Sequence, residues 1–150
     1  MKRYCYDYPK PSVTADIVVI ADKGCERKVL LIKRKYSPCE GMWALPGGFV
    51  DENEDLITAA LRELKEETGI ENVTPVQIGA FGKPGRDPRG HTISIGFMTV
   101  IPDIVEAGAG DDAANAEWFS INNLPELAFD HNDIINKALE METLYKMAIN

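Results

Sequence analysis

The chain has 150 residues, 45% hydrophobic and 27% charged, which suits one domain with a packed core and excludes a disordered chain. Its net charge of −8 argues against nonspecific nucleic-acid binding, which needs a basic face. No signal-peptide pattern follows MKRYCYDYPKP, and no window approaches the ~20 apolar residues of a membrane span. A cytoplasmic protein without nucleic-acid or membrane partners is expected.

Residues 13–21, VTADIVVIA, are β-branched and apolar and predict a buried strand. Asp22-Lys23-Gly24 predicts a turn, and residues 28–35, KVLLIKRK, its hairpin partner with a basic exposed end. Cys5, Cys25 and Cys39 are scattered, form no CxxC pair, and read as free thiols. Residues 36–41 read as a loop, and Trp43 begins a short extended piece that ends at Gly47 and Gly48. A helix is expected over 53–68, with Asp51 and Glu54 as its capping box and Gly69 in the left-handed position beyond its end. Residues 74–81 and 91–101 read as strands joined by a loop rich in Pro, Gly and Arg. A short strand over 116–119 follows, then a largely helical stretch over 124–147 with Ile134, Ile135, Ala138 and Leu139 as its apolar stripe. Strands mixed with two helices predict an α+β fold, a sheet between helices.

The helix over 53–68 carries the chemistry. On a wheel of roughly 100° per residue, Ile57, Ala60, Leu61, Leu64 and Thr68 form a stripe that should pack on the sheet. Glu63, Glu66 and Glu67 share a sector beside that stripe, at the edge of the core. Like charges so close repel by about 1 kcal/mol in water and about 4 at an effective dielectric of 20. Bound Mg²⁺ or Mn²⁺ reverses the sign, because these cations prefer carboxylate oxygens. Taken alone, the glutamates also fit a solvated acidic face. Glu54 lies roughly opposite them and reads as a capping group that pairs with Arg62. Arg62 also reaches Glu66 one turn on.

The full pattern is more specific. Gly48, Glu54 and the run Arg62-Glu63-Leu64-x-Glu66-Glu67-x-Gly69-Ile70 resemble, at every defined position, the signature of the Nudix hydrolases. The resemblance implies a Nudix-type α/β/α sandwich with a mixed β-sheet, filling residues 1–150 as a single domain. It implies metal-dependent cleavage of a nucleoside diphosphate linked to another moiety. The expected cofactor is Mg²⁺ or Mn²⁺, held by Glu63, Glu66, Glu67 and the backbone carbonyl of Gly47. Arg62 and Glu54 complete the expected catalytic set. In some relatives the general base is a carboxylate in a loop before the last strand. Asp111 and Asp112 occupy such a loop here, and Asp112 is the favoured base. Glu66 or Glu67 is the alternative, and a polar turn is the plain account of Asp111-Asp112.

Residues 81–92, FGKPGRDPRGHT, concentrate Arg86, Arg89 and His91 in an acidic chain. Arginine suits bidentate phosphate contact, although the prolines and glycines also fit a stiff surface loop. The loop resembles a segment of ADP-ribose pyrophosphatase-like members and of related sugar-nucleotide-sensing regulators. In that subgroup a proline about fifteen residues past the box glycine accompanies ADP-ribose specificity, and Pro84 matches it. Pro84, Arg86, Arg89, Gly48 and Phe49 are therefore the expected substrate contacts. The implied reaction converts ADP-ribose to AMP and ribose 5-phosphate. Alternatives are an oxidised nucleoside triphosphate or another dinucleotide as substrate, or a sensor that binds ADP-ribose-like ligands without cleaving them. Such sensors usually carry a winged helix, for which no room is expected here, and a degraded box, whereas this box is intact. The resemblance also implies a homodimer. Tyr6 or Tyr8 can stack on adenine or pack on a second subunit, the better expectation being packing. Phe129-Asp130-His131 resembles a recurring segment of the subgroup, and helix capping by Asp130 is the plain account.

Overall fold

The apolar run at Val13 becomes the middle of a mixed sheet. The computed structural model describes residues 3–108 and 115–149. Strand β1 (Ser12–Lys23) pairs antiparallel with β2 (Glu26–Lys33) and parallel with β6 (Thr92–Ile101). Short strands β3 (Trp43–Ala44) and β7 (Ala116–Ser120) pair with β2, and β4 (Gly47–Phe49) pairs with β1. Strand β5 (Val76–Phe81) closes the far edge on β6. The main path is β3-β2-β1-β6-β5 among the described residues.

The two-residue period of β1 sorts its side chains between two cores. Ala15, Ile17 and Val19 face helix α1 (Leu56–Thr68), together with Leu30, Ala59, Ala60, Leu64 and Phe97. Val18 and Ile20 face helix α2 (His131–Ile149), together with Val29, Leu31, Met98, Ile134, Ile135 and Ala138. The arrangement is the expected α+β sandwich. It also puts Asp16, which shares its parity with Val18 and Ile20, on the α2 side.

Both helices begin later than the sequence suggests. Helix α1 starts at Leu56, capped by Asp55, whose carboxylate accepts from the Leu56 N–H at 2.7 Å. Asn53 has φ 63°, a left-handed conformation that cannot lie inside a right-handed helix. Asp51 and Glu54 close the preceding turn instead, with Glu54 accepting from the Asp51 N–H at 2.9 Å. Gly69 ends the helix at φ 74°, as expected. The buried stripe is Ala59, Ala60, Leu64 and Thr68, while Ile57 is exposed and Leu61 only half-buried. The helix is thus rolled so that Glu63 and Glu67 lie against the sheet edge.

Helix α2 starts at His131 rather than near Leu124. Pro125 biases Leu124 away from helical geometry, and Phe129 has φ 55°. The intervening segment lies beside β3 instead. Leu127 bridges to Trp43, and the Ala128 N–H donates to the Trp43 carbonyl at 2.8 Å.

Leu64 is fully buried between α1 and the sheet. Leu64→Ala is expected to cost about 2–5 kcal/mol, read from urea unfolding midpoints at unchanged slope.

Candidate active site

Arg62 organises the box. Its guanidinium donates to both oxygens of Glu54 at 2.7 and 2.9 Å, to Glu63 at 2.7 Å and to the Phe49 carbonyl at 3.1 Å. A longer contact of 3.4 Å reaches Glu66. One side chain therefore ties the turn before α1, the helix itself and β4 together. The Arg62 hydrogen bonds hold the Glu54 carboxyl at about 2, well below its ordinary 4.5, and the bond from the Asp51 N–H adds to this.

The other glutamates are held less comfortably. Burial pushes the Glu63 carboxyl up, against the pull of Arg62. Burial pushes Glu67 further, to about 8, and the nearby charges of Glu63 and Asp16 add to it. The Gly47 N–H, which donates to Glu67 at 2.9 Å, and the Arg34 charge oppose this only in part. Glu66 is exposed.

Strand β4 runs close beneath these carboxylates, and its glycines make that possible. A Cβ on Gly48 would lie 2.5 Å from a Glu63 oxygen. A Cβ on Gly47 would collide with the Asp16 carboxylate and the Ala15 carbonyl. At Gly47, where a Cβ would meet backbone atoms, only glycine permits so close an approach; at Gly48 a Cβ would displace the Glu63 carboxylate.

The result is a cleft with two connected arms. One arm has Glu63, Glu66 and Glu67 on one side and Lys33, Arg34, Lys35 and Tyr36 on the other. The second arm is lined by Gly47, Gly48, Phe49, Arg86, Asp87, Arg89, Phe129 and His131, over Asp16. Ile32, Arg34 and Glu67 line both and mark the junction.

The arginine loop enters the second arm through two different residues. The Arg86 side chain is almost fully buried and bound bidentate by Asp130, at 2.8 and 2.5 Å. Asp130 therefore spends its carboxylate on Arg86 rather than on capping α2. Arg89 pairs with Asp87 at 2.7 Å and lies over the rings of Phe49 and Phe129, 4.8 and 5.4 Å from their centroids. Pro84 is exposed in the loop and does not line the cleft. Asp112 lies outside the described residues. Tyr6 and Tyr8 are exposed and line neither arm.

Several lining residues escape sequence reasoning. Arg34 sits at the junction, donates to the Pro38 carbonyl at 2.9 Å, and lies 4.9 Å from the Phe129 ring centre. The basic run ending β2 was its only signal, and that run reads as exposed. Buried Asp16 accepts from Ser94 and from Thr14 at 3.3 Å, beneath the cleft. A single Asp inside an apolar strand was the signal for this residue.

Among the described residues, no three His, Cys, Asp or Glu side chains already converge as a ligand cluster. Glu63 is engaged by Arg62 and Glu67 by Gly47. The donor chemistry nevertheless fits a hard divalent cation. Glu63 and Glu67 are carboxylates whose charge is disfavoured by burial and incompletely offset by the protein.

The family model for the NUDIX domain matches residues 10–138. The chain belongs to the Nudix family. It is 49% identical over 130 residues to an ADP-ribose pyrophosphatase of Methanocaldococcus jannaschii, covering 85% of this chain and 73% of that one. It is 33% identical to the ADPR responsive transcriptional repressor NtrR of Acinetobacter baylyi, covering 88% of this chain and 54% of the repressor. The Nudix domain of Shewanella oneidensis NrtR, solved with ADP ribose, superposes with a TM-score of 0.81 at 30% identity, covering 91% of this chain and 93% of that one. Among the described residues, no helix of this Nudix chain is long and apolar enough to cross a membrane.

The Glu54 shift has a pH signature. A depressed carboxyl adds stability above its ordinary 4.5 and loses that contribution as pH falls towards about 2. Glu54→Gln is therefore expected to unfold at lower urea than wild type at pH 7. The gap should narrow as pH falls from about 4.5 towards 2, followed by fluorescence.

Proposed function

We propose that this chain hydrolyses the pyrophosphate bond of ADP-ribose, releasing AMP and ribose 5-phosphate, with Mg²⁺ or Mn²⁺ as cofactor. The observation that carries this reading is the junction of the two arms. Cation-binding carboxylates meet an arginine and aromatic pocket at Glu67 and Arg34, in a chain of net charge −8. Similarity to the named pyrophosphatase and to the ADP-ribose-bound domain supports the choice of substrate.

Glu63, Glu66, Glu67 and the Gly47 carbonyl would hold the cation. When bound, it supplies Lewis-acid polarisation of the phosphate oxygens and acidifies water. The chain's own residues do the rest. Arg62 grips Glu54 with a bidentate fork and holds Glu63, with a longer contact to Glu66, through Nη1. Arg34 and Arg89 offer positive charge to the diphosphate, and Phe49 and Phe129 offer faces to a planar group. Arg86, sequestered by Asp130, shapes the wall and adds its field. Water attacks phosphorus, the bridging P–O bond breaks, and the leaving phosphate oxygen takes up a proton. The attacking water gives its proton to a carboxylate drawn from Glu66, Glu67 and Asp112.

Similarity to the repressor supports a second reading, binding of an ADP-ribose-type ligand without turnover. A panel of ADP-ribose, NADH, diadenosine polyphosphates and 8-oxo-dGTP, with and without Mg²⁺, separates the two. Release of AMP from ADP-ribose only with Mg²⁺ is the expected result. Tight ADP-ribose binding without AMP would favour the sensor.

Glu67→Gln is expected to lower turnover by about two orders of magnitude or more while leaving circular dichroism and thermal midpoint near wild type. Near-normal turnover at saturating Mg²⁺ would remove Glu67 from the metal set.

A further inference from the structure

The segment Phe129-Asp130-His131 is not absorbed by the metal set. Asp130 grips the arginine loop, as described, while His131 reaches the opposite wall of the cleft. Its ring is buried, and Nδ1 accepts the Leu45 N–H at 2.9 Å. With Nδ1 an acceptor, neutral His131 carries its proton on Nε2, which faces Asp16 at 3.9 Å.

Leu45 stands two residues before Gly47. The intervening Pro46 carbonyl accepts from the Ile17 N–H at 2.9 Å. Gly47 then donates its N–H to Glu67 at 2.9 Å. Fixed contacts therefore run without a break from the first residue of α2, through the Leu45–Gly47 backbone, to the most strongly buried glutamate of α1. Nothing softer than a peptide group intervenes.

The geometry points to His131 as a positioning residue that acts through the Leu45 and Gly47 amides to orient Glu67 and the Gly47 carbonyl. Its Nδ1 acceptor is the functional atom. The inference deepens the metal reading of Glu67 and rests on it. His131 touches neither cation nor substrate in this role. Partners that orient a ligand are typically worth about 10- to 100-fold in metal affinity or activity.

Two substitutions divide the ring's two functions. In His131→Asn the amide oxygen replaces Nδ1 as acceptor. In His131→Gln the terminal amide replaces Nε2, and the buried Leu45 N–H loses its acceptor. Amide hydrogen exchange by NMR, on metal-free protein, reads the link directly. Faster exchange is expected at both Leu45 and Gly47 in His131→Gln, with both protected in His131→Asn. Mn²⁺ binding by electron paramagnetic resonance, without substrate, should weaken about 10- to 100-fold in His131→Gln and stay within about threefold of wild type in His131→Asn. kcat for ADP-ribose should follow the metal affinity, with KM little changed.

A purely structural role would lower the thermal midpoint of both variants and leave these readouts alike. Equal behaviour of the two variants, or a Gly47 amide still protected in His131→Gln, overturns the inference. If His131→Gln does not fold, His131→Leu supplies the variant without an acceptor. Glu67→Gln is the control. Wild-type Mn²⁺ affinity there would sink the metal reading itself, and the exchange data would then judge the His131 link alone.

Discussion

The backbone at Gly47 and Gly48 runs between two carboxylates, Asp16 on β1 and Glu63 on α1, with no room for a Cβ on either side. That close approach sets the rest of the cleft. It lets α1 lie low on β4, so that Gly47 can donate to Glu67 and the Phe49 carbonyl can receive Arg62. It also keeps the β4 backbone close beneath Glu63 and Glu67. A methyl group at Gly48 would displace the Glu63 carboxylate from its place against β4.

The charges of the site are unequally treated. Arg62 satisfies Glu54 fully and Glu63 in part. Glu67 receives one backbone N–H and remains the most disfavoured carboxylate of the set. The unevenness makes chemical sense. In the proposed metal site, carboxylates that arginine leaves un-neutralised are what a cation would gain by binding. The fold bears that cost in the helix that also packs Leu64 into the core. Local rules are broken where function needs it and kept a turn away.

Much of this was legible before folding. The strand at Val13, the hairpin, the helix ending at Gly69 and the late strand near Ala116 follow from periodicity and turn residues, which are local properties. The spacing of Glu63, Glu66 and Glu67 is likewise local, because a helix converts separation along the chain directly into angle. The pairing of Glu54 with Arg62 was legible for the same reason. The starts of both helices were not. Asn53 and Phe129 adopt left-handed geometry that their residue types do not demand. The neighbouring turn at Asp51 and the docking of Leu127 beside Trp43 impose it.

The amino-acid sequence by itself determined the reaction class, since the Nudix pattern lies in one continuous stretch whose geometry a single helix supplies. Only the tertiary structure decided what surrounds it. Arg86 meets Asp130 across 44 residues, and Leu45 meets His131 across 86. These contacts exist because β1 lies at the centre of the sheet and α2 returns to the face that carries Asp16. Sheet order and helix placement are consequences of global packing. No local spacing could have shown that Arg34, Phe129 and His131 would line one cleft, or that Asp130 would hold an arginine rather than cap its own helix.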